Sequence, residues 1–265
     1  MTSSRKTAII TGSATGVGAA AARQLAQRGC NVVINYTKSK AEAEETATAC
    51  RAAGAETIVF QGDVGQDTAC RAMAQAALDA WGRIDYLVSN AARTKFNAYD
   101  NLEGLSAEDF LAIYQVNVVG AYQMVRACAP TMKQQGHGSV VMVSSIGGVT
   151  GMASSIAYAA SKAALNLMTK SLAVTLGPEI RVNAICPGMI QTRWLKAGLD
   201  DERYEATVKV GTQLSPLKKV STADEVAETI VWLLEAAAIM TGQVLLNDAG
   251  VHLGQLPPMS RSKAS

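Results

Sequence analysis

The chain has 265 residues, with 24 Lys and Arg against 22 Asp and Glu, 49% hydrophobic and 17% charged residues. A net charge of +2 is too small to hold a phosphate backbone or an anionic lipid surface by its field, which argues against nucleic acid and membrane as partners. Cys30, Cys50, Cys70, Cys128 and Cys186 show no C-x-x-C or zinc spacing and read as reduced, buried small hydrophobes of a cytoplasmic protein.

The polar start, Met1 to Lys6, runs directly into an apolar strand, leaving no room for a signal peptide. That strand, Thr7 to Thr11, is followed by a glycine turn, Gly12 to Gly18, and a helix over Ala19 to Arg28. Further strands are expected near Asn31–Asn35, Thr57–Gln61, Tyr86–Asn90, Ser139–Ser145, Arg181–Cys186 and Val244–Asn247, with helices between them. Continuously apolar strands separated by helices predict an α/β fold, a Rossmann-type doubly wound parallel sheet of about seven strands with helices on both faces.

A single domain spanning 1–265 accounts for the pattern. Its irregular parts are a helical lid over the substrate, about 189–222, and a polar tail, 256–265. The segment Gln134 to Ser161 lacks charge but is too rich in Gly, Ser and Ala to span a bilayer.

In Gly12-Ser13-Ala14-Thr15-Gly16-Val17-Gly18 the glycines leave backbone N–H groups open at a helix N-terminus, a geometry that binds pyrophosphate. Gly12, Ser13, Thr15, Gly16, Val17 and Gly18 are therefore candidate cofactor ligands. A NAD-specific site usually ends its second strand with a carboxylate for the ribose 2′-OH. Here the strand ends Asn35-Tyr36-Thr37-Lys38-Ser39-Lys40, and no carboxylate precedes Glu42. Hydroxyls and lysines suit a 2′-phosphate, so NADP(H) is favoured over NAD(H), with Asn35, Tyr36 and Thr37 at the contact.

Tyr158 and Lys162 stand one helical turn apart, so their side chains share a face and the ammonium is expected to favour the phenolate. By chance such a pair arises about 0.3 times in this composition, and about 0.02 times once a serine thirteen residues upstream is required. Ser145 meets that requirement at the carboxyl end of the fifth strand, where open parallel sheets bind ligands. His137 and His252 have no partner at ligand spacing, and no metal site is expected.

The glycine turn, Asn90-Ala91, Asn117, Ser145, Tyr158-x-x-x-Lys162, Pro187-Gly188 and Asn247-Asp248-Ala249-Gly250 occur in the order of the short-chain dehydrogenase/reductase family. Over nearly its whole length the chain resembles that family's β-ketoacyl reductase and glucose dehydrogenase-like members. The resemblance implies hydride transfer between NAD(P)(H) and a carbonyl or secondary alcohol. It makes Tyr158 the general acid/base, Ser145 the holder of the reacting oxygen, and Lys162 the group that lowers the tyrosine pKa and binds the nicotinamide ribose. It further implies that Asn117 anchors a water in a proton relay and that Asp63 and Val64 flank the adenine. By the same resemblance Asn90 and Ala91 lie at the adenosine ribose, while Pro187, Gly188, Ile190 and Thr192 lie at the nicotinamide. Ser89-Asn90-Ala91-Ala92 departs from the family's Asn-Asn-Ala-Gly by its final alanine.

Relatives that dock acyl carrier protein carry arginines where this chain has Gly136 and Val174, so a free small-molecule substrate is favoured. Trp194 and Tyr204 are candidates for an apolar lid over it. The helix from Ala157 to Leu176 is apolar on more than one face, and family members pair on this helix, so a homotetramer or homodimer is expected. A NAD(H)-linked sugar or polyol dehydrogenase, a non-catalytic dinucleotide-binding regulator and a methyl-transfer enzyme remain as alternatives at this stage.

Overall fold

The computed structural model describes residues 5–196 and 199–254. The tail at 256–265 lies outside the described residues. Seven strands form one parallel sheet: β1 (Thr7–Ile10), β2 (Asn31–Tyr36), β3 (Thr57–Gln61), β4 (Tyr86–Ser89), β5 (Gly138–Val143), β6 (Ile180–Pro187) and β7 (Val244–Asn247). Their order is β3-β2-β1-β4-β5-β6-β7, so the winding reverses between β1 and β4 and opens a crevice at the carboxyl ends of the strands.

Strand side chains alternate between two buried layers, which is why the strands read as uninterrupted apolar runs. Ala8, Ile10, Val32, Ile34, Val88 and Val141 pack with α1 (Gly16–Gln27), α2 (Lys40–Ala52) and α10 (Ala223–Glu235). Ile9, Val33, Leu87, Val140 and Val182 face the other way, toward α3 (Asp67–Trp81), α5 (Ala121–Gln135) and α7 (Ile156–Leu176). The alanines 19–22 of α1 are all buried, and their small size lets that helix lie close to the sheet with the glycine turn at its head.

The largely apolar stretch from Phe110 to Met132 does not form one continuous α-helix. α4 (Ala107–Tyr114) passes through a π-helical segment, Gln115–Gly120, into α5. The cause is Asn117, only 1% exposed, whose amide needs partners the regular helix does not offer. It finds them in Arg93, donating to the carbonyl (3.0 Å) and accepting from the N–H (2.7 Å), and in the Ser161 hydroxyl (2.9 Å). π-Turns of this kind often sit at functional sites.

The segment 189–222 carries α8 (Arg193–Lys196) and α9 (Asp201–Leu214) and is bridged at its ends by Ile190 and Ser221. α6 (Gly147–Thr150) is a single turn lying against α7, where a Cβ on Gly148 would come within 2.6 Å of the Lys162 carbonyl carbon. All five cysteines are free and buried. Burial pushes the Cys30 and Cys128 thiols up to about 12 and those of Cys50 and Cys70 to about 11, so these four stay protonated and unreactive. Among the described residues no helix is long and apolar enough to cross a membrane, and no His, Cys, Asp and Glu cluster could hold a metal ion.

Candidate active site

The turn after β1 owes its shape to buried polar side chains. Gly12 and Gly16 sit at φ +61° and +60°, in the left-handed region that favours glycine. The Gly12 N–H donates to Asn35 Oδ1 (3.0 Å), and Ser13 Oγ donates to the Ile10 carbonyl (2.7 Å) while accepting from the Asn35 N–H (3.0 Å). Asn90 Nδ2 donates to the Thr11 and Gly12 carbonyls, each at 2.9 Å. The side chains of Ser13 and Asn35, 0% and 1% exposed, thus turn inward and shape the turn, because its backbone groups would otherwise be buried unpaired.

What stays open is the backbone. Thr15 makes no side-chain cap at the N-terminus of α1, and the first turn of that helix holds no acidic residue. An uncapped, electropositive helix end behind two left-handed glycines fits a pyrophosphate, so the residues present suit a dinucleotide. Val17 and Gly18 are buried and pack the helix against the sheet: a Cβ at Gly18 would fall 2.6 Å from Asn90 Nδ2 and 2.7 Å from the Gly12 carbonyl oxygen.

At the end of β2 Tyr36 is buried, while Thr37 and Lys38 are exposed and Ser39 half-buried. Glu42, the first carboxylate beyond them, is already engaged: Arg193 of α8 donates to Glu42 Oε1 (2.6 Å) and to Ser39 Oγ (2.8 Å). Asp63 is exposed and caps the Gly65 N–H (2.8 Å), and Val64 is buried with its carbonyl bound by Gln123 (2.8 Å). Ala91, half-buried beside Gly12, donates its N–H to the Thr11 hydroxyl oxygen (2.9 Å).

Tyr158, Lys162 and Ser145 come from two elements. Ser145 lies two residues past β5, its Oγ accepting from the Gly147 N–H (3.0 Å). Ser155 caps α7 by accepting from the Tyr158 N–H (3.3 Å), which sets where the helix begins and hence where Tyr158 stands. Lys162 is 1% exposed; its ammonium donates to the Val143 carbonyl (2.8 Å) and lies 5.5 Å from the Tyr158 ring centroid.

The electrostatics differ from the expectation that the ammonium acidifies the phenol. Burial pushes the Tyr158 hydroxyl above its ordinary 10, and burial lowers Lys162 from 10.5 to about 8. The ammonium has lost its water and bonds a main-chain carbonyl, so in the ligand-free cleft desolvation outweighs any charge effect on the phenol. Tyr158 is therefore held as a neutral phenol.

One partner, Ser161, lies outside the motif. Ser161 Oγ donates to the Tyr158 carbonyl (2.7 Å) and accepts from Asn117, which links the π-helical segment to α7. Its only signal was a serine inside an apolar helix. The Trp194 ring of α8 stands 6.3 Å from that of Tyr158, inclined 48°, so that aromatic reaches the site, while Tyr204 sits in α9. Pro187 is buried at the end of β6, and a Cβ on Gly188 would lie 2.8 Å from Asp248 Cβ. Ile190 and Thr192 follow just before α8, with Thr192 lying over Gly16, where a Cβ would stand 3.6 Å from its methyl carbon.

A family model described as enoyl-(acyl carrier protein) reductase matches residues 12–252. The chain is 37% identical to a protein designated ketoacyl reductase 2 of the granaticin polyketide synthase of Streptomyces violaceoruber, over 93% of this chain and 96% of that one. It is 35% identical to the L-rhamnose 1-dehydrogenase (NAD(P)(+)) of Sphingomonas sp. (strain SKA58), covering 94% of this chain and 96% of the relative. A crystal structure described as a short-chain dehydrogenase/reductase from Burkholderia xenovorans superposes with a TM-score of 0.89 at 39% identity, covering 95% of this chain and all of the other.

Proposed function

The chain belongs to the short-chain dehydrogenase/reductase family, NAD(P)-dependent oxidoreductases of CH–OH and keto groups, and on that footing we propose that it interconverts a carbonyl and a secondary alcohol on a free small molecule with NADP(H). The observation that carries the reading is the convergence of Ser145, Tyr158 and Lys162 at the carboxyl end of β5, beside an uncapped helix N-terminus.

Gly12, Thr15, Gly16 and the head of α1 would hold the pyrophosphate, with Asp63, Val64, Asn90 and Ala91 toward the adenosine and Pro187, Gly188, Ile190 and Thr192 toward the nicotinamide. When bound, the dinucleotide supplies or accepts the hydride. Tyr158 delivers the proton to the substrate oxygen from its neutral phenol, and Ser145 Oγ donates a second hydrogen bond to the same oxygen as charge develops there. Lys162, charged below about pH 8, provides the positive field beneath the phenol. Asn117 and Ser161 hold α7 in register with the π-helical segment and Arg93, and Asn117 anchors the water of a proton relay. Trp194 covers the reacting side chains from the lid and excludes water.

NADP(H) preference is supported by the exposed Thr37 and Lys38 and by the absence of any unpaired carboxylate between Asn35 and Glu42. We expect kcat/KM at least about tenfold higher with NADPH than with NADH, read from steady-state rates over a panel of ketones, keto-esters and aldoses. A clear NADH preference would overturn this, and activity confined to aldoses would favour a sugar dehydrogenase, the reading that the rhamnose dehydrogenase relative supports.

A free substrate rather than a carrier-bound one is supported by Gly136, a left-handed helix terminus at φ +74°, and by Val174, neither offering charge to an acidic carrier. The five unpaired thiols suit the reducing cytoplasm. α7 leaves Leu167 and Val174 66% and 86% exposed, an apolar face that a second copy of the chain would cover in a homodimer or homotetramer. Sedimentation velocity should therefore return a multiple of the 27.7 kDa chain, and a monomer at micromolar concentration would refute the assembly.

A further inference from the structure

The segment leaving β6 runs across the cofactor crevice. It is anchored at Ile190 by the bridge to Ser221, lays Thr192 over Gly16 of the phosphate turn, and ends with Arg193 on the far rim. There the guanidinium joins Glu42 Oε1 at 2.6 Å and Ser39 Oγ at 2.8 Å, spanning about 150 residues of sequence. Ser39 belongs to the same loop as Thr37 and Lys38, the place where the end of β2 presents hydroxyls and ammonium in lieu of a carboxylate.

Taking the 2′-phosphorylated cofactor proposed above as given, we propose that Arg193 is a specificity-determining residue: the lid supplies it as a ligand for the cofactor's 2′-phosphate, and Glu42 and Ser39 hold it in place when no dinucleotide is bound. Three features support this. Both members of the Arg193–Glu42 pair are substantially exposed, 54% and 38% by side chain, and exposed pairs of this kind are weak. A phosphate dianion offers more charge and three acceptor oxygens to a planar fork that is suited to bidentate capture. The Arg193 bonds to Glu42 and Ser39 use one donor on Nη1 and one on Nη2, leaving further N–H groups of the same guanidinium for a second acceptor. The carboxylate that would repel a 2′-phosphate is thereby neutralised by the residue that would bind it.

Coupling to the lid follows from chain order. Trp194, adjacent to Arg193, lies tilted beside Tyr158, so fixing Arg193 on the cofactor's adenosine end also fixes the aromatic beside the proton donor. The 2′-phosphate would then be sensed both in affinity and in closure of the site.

Calorimetric titration of the full chain with adenosine 2′,5′-bisphosphate and with adenosine 5′-monophosphate tests the assignment without turnover. The wild type should bind the bisphosphate more tightly. Arg193→Ala should cut the bisphosphate-to-monophosphate affinity ratio about tenfold or more while changing monophosphate affinity less than about threefold, with Arg193→Lys intermediate. Glu42→Gln should leave that ratio unchanged or raise it. Equal weakening of both nucleotides by Arg193→Ala, or a fall in the ratio with Glu42→Gln matching that of Arg193→Ala, would make the contact a simple lid latch and overturn the proposal. A wild type that prefers the bisphosphate and an Arg193→Ala variant that keeps the preference would overturn it while leaving the NADP(H) reading intact. A wild type with no preference would remove both.

Discussion

Tyr158→Phe is expected to lower kcat by about 10²- to 10⁴-fold, the usual contribution of a positioned proton donor, while leaving dinucleotide affinity within about twofold. The substitution removes one oxygen and keeps the ring, so the inclined contact with Trp194 at 6.3 Å and the capped start of α7 are preserved. Burial holds the hydroxyl above its ordinary pKa, which makes it a neutral donor throughout the neutral range. Its loss should therefore slow reduction at every pH from 6 to 9, without a shift of profile. Steady-state kinetics with fluorescence titration of the dinucleotide separates the two quantities. A variant that keeps turnover would leave Ser145 or a bound water as the donor and remove the mechanism proposed here.

Lys162→Met should stabilise the ligand-free protein and at the same time cripple it. The wild-type lysine titrates near 8 in the folded chain against 10.5 when solvated, a gap equivalent to roughly 3 kcal/mol at about 1.4 kcal/mol per pH unit. Methionine of similar length removes the buried charge but gives up the hydrogen bond to the Val143 carbonyl, which returns about 1 kcal/mol, so a net gain of about 1–3 kcal/mol is expected at pH 7. The sign follows from proton counts. Below pH 8 both states hold the proton and the full burial cost is present. Between about 8 and 10.5 the unfolded chain binds more protons than the folded one, so wild-type stability rises with pH and the variant's advantage shrinks. Urea unfolding of both proteins at pH 7 and pH 10 reads this directly, and an advantage that does not shrink would mean the lysine is not the titrating group.

The functional arm of the same substitution has its own pH signature. For the dinucleotide, kcat/KM reports groups of the free enzyme, so the wild type should lose activity above about pH 8 as Lys162 gives up its proton. The variant should be slow at all pH values and lack that limb. A residue kept at a cost to stability, and whose removal costs activity, is one that the fold retains for chemistry.

Much of this was written locally. Parallel strands buried on both faces must be apolar at consecutive positions, and a pyrophosphate turn needs glycine where φ is positive, so β1, its turn and α1 could be read from a dozen residues. Tyr158 and Lys162 share a helical face by their spacing alone, and Ser145 follows a strand that its β-branched run announces. The carboxylate-free end of β2 was equally visible.

Other features depend on residues distant in sequence, and periodicity holds no information about those. The helical stretch from Ala107 to Gln135 turns π-helical around Asn117, where Arg93 and Ser161 satisfy a buried amide. The direction of the Tyr158 and Lys162 titrations is decided by how deeply the pair is buried and by the Val143 carbonyl that captures the ammonium, neither of which a four-residue spacing encodes. The inward turn of Ser13 and Asn35 came from the need of a buried turn to pair its own backbone. Arg193 reads as an ordinary surface cation until the lid carries it across the crevice to Ser39 and Glu42. Residue type and short-range spacing thus determined which chemistry the chain can carry. Packing brought distant groups within hydrogen-bonding distance and removed water from between them, and that decided which atoms face the reaction.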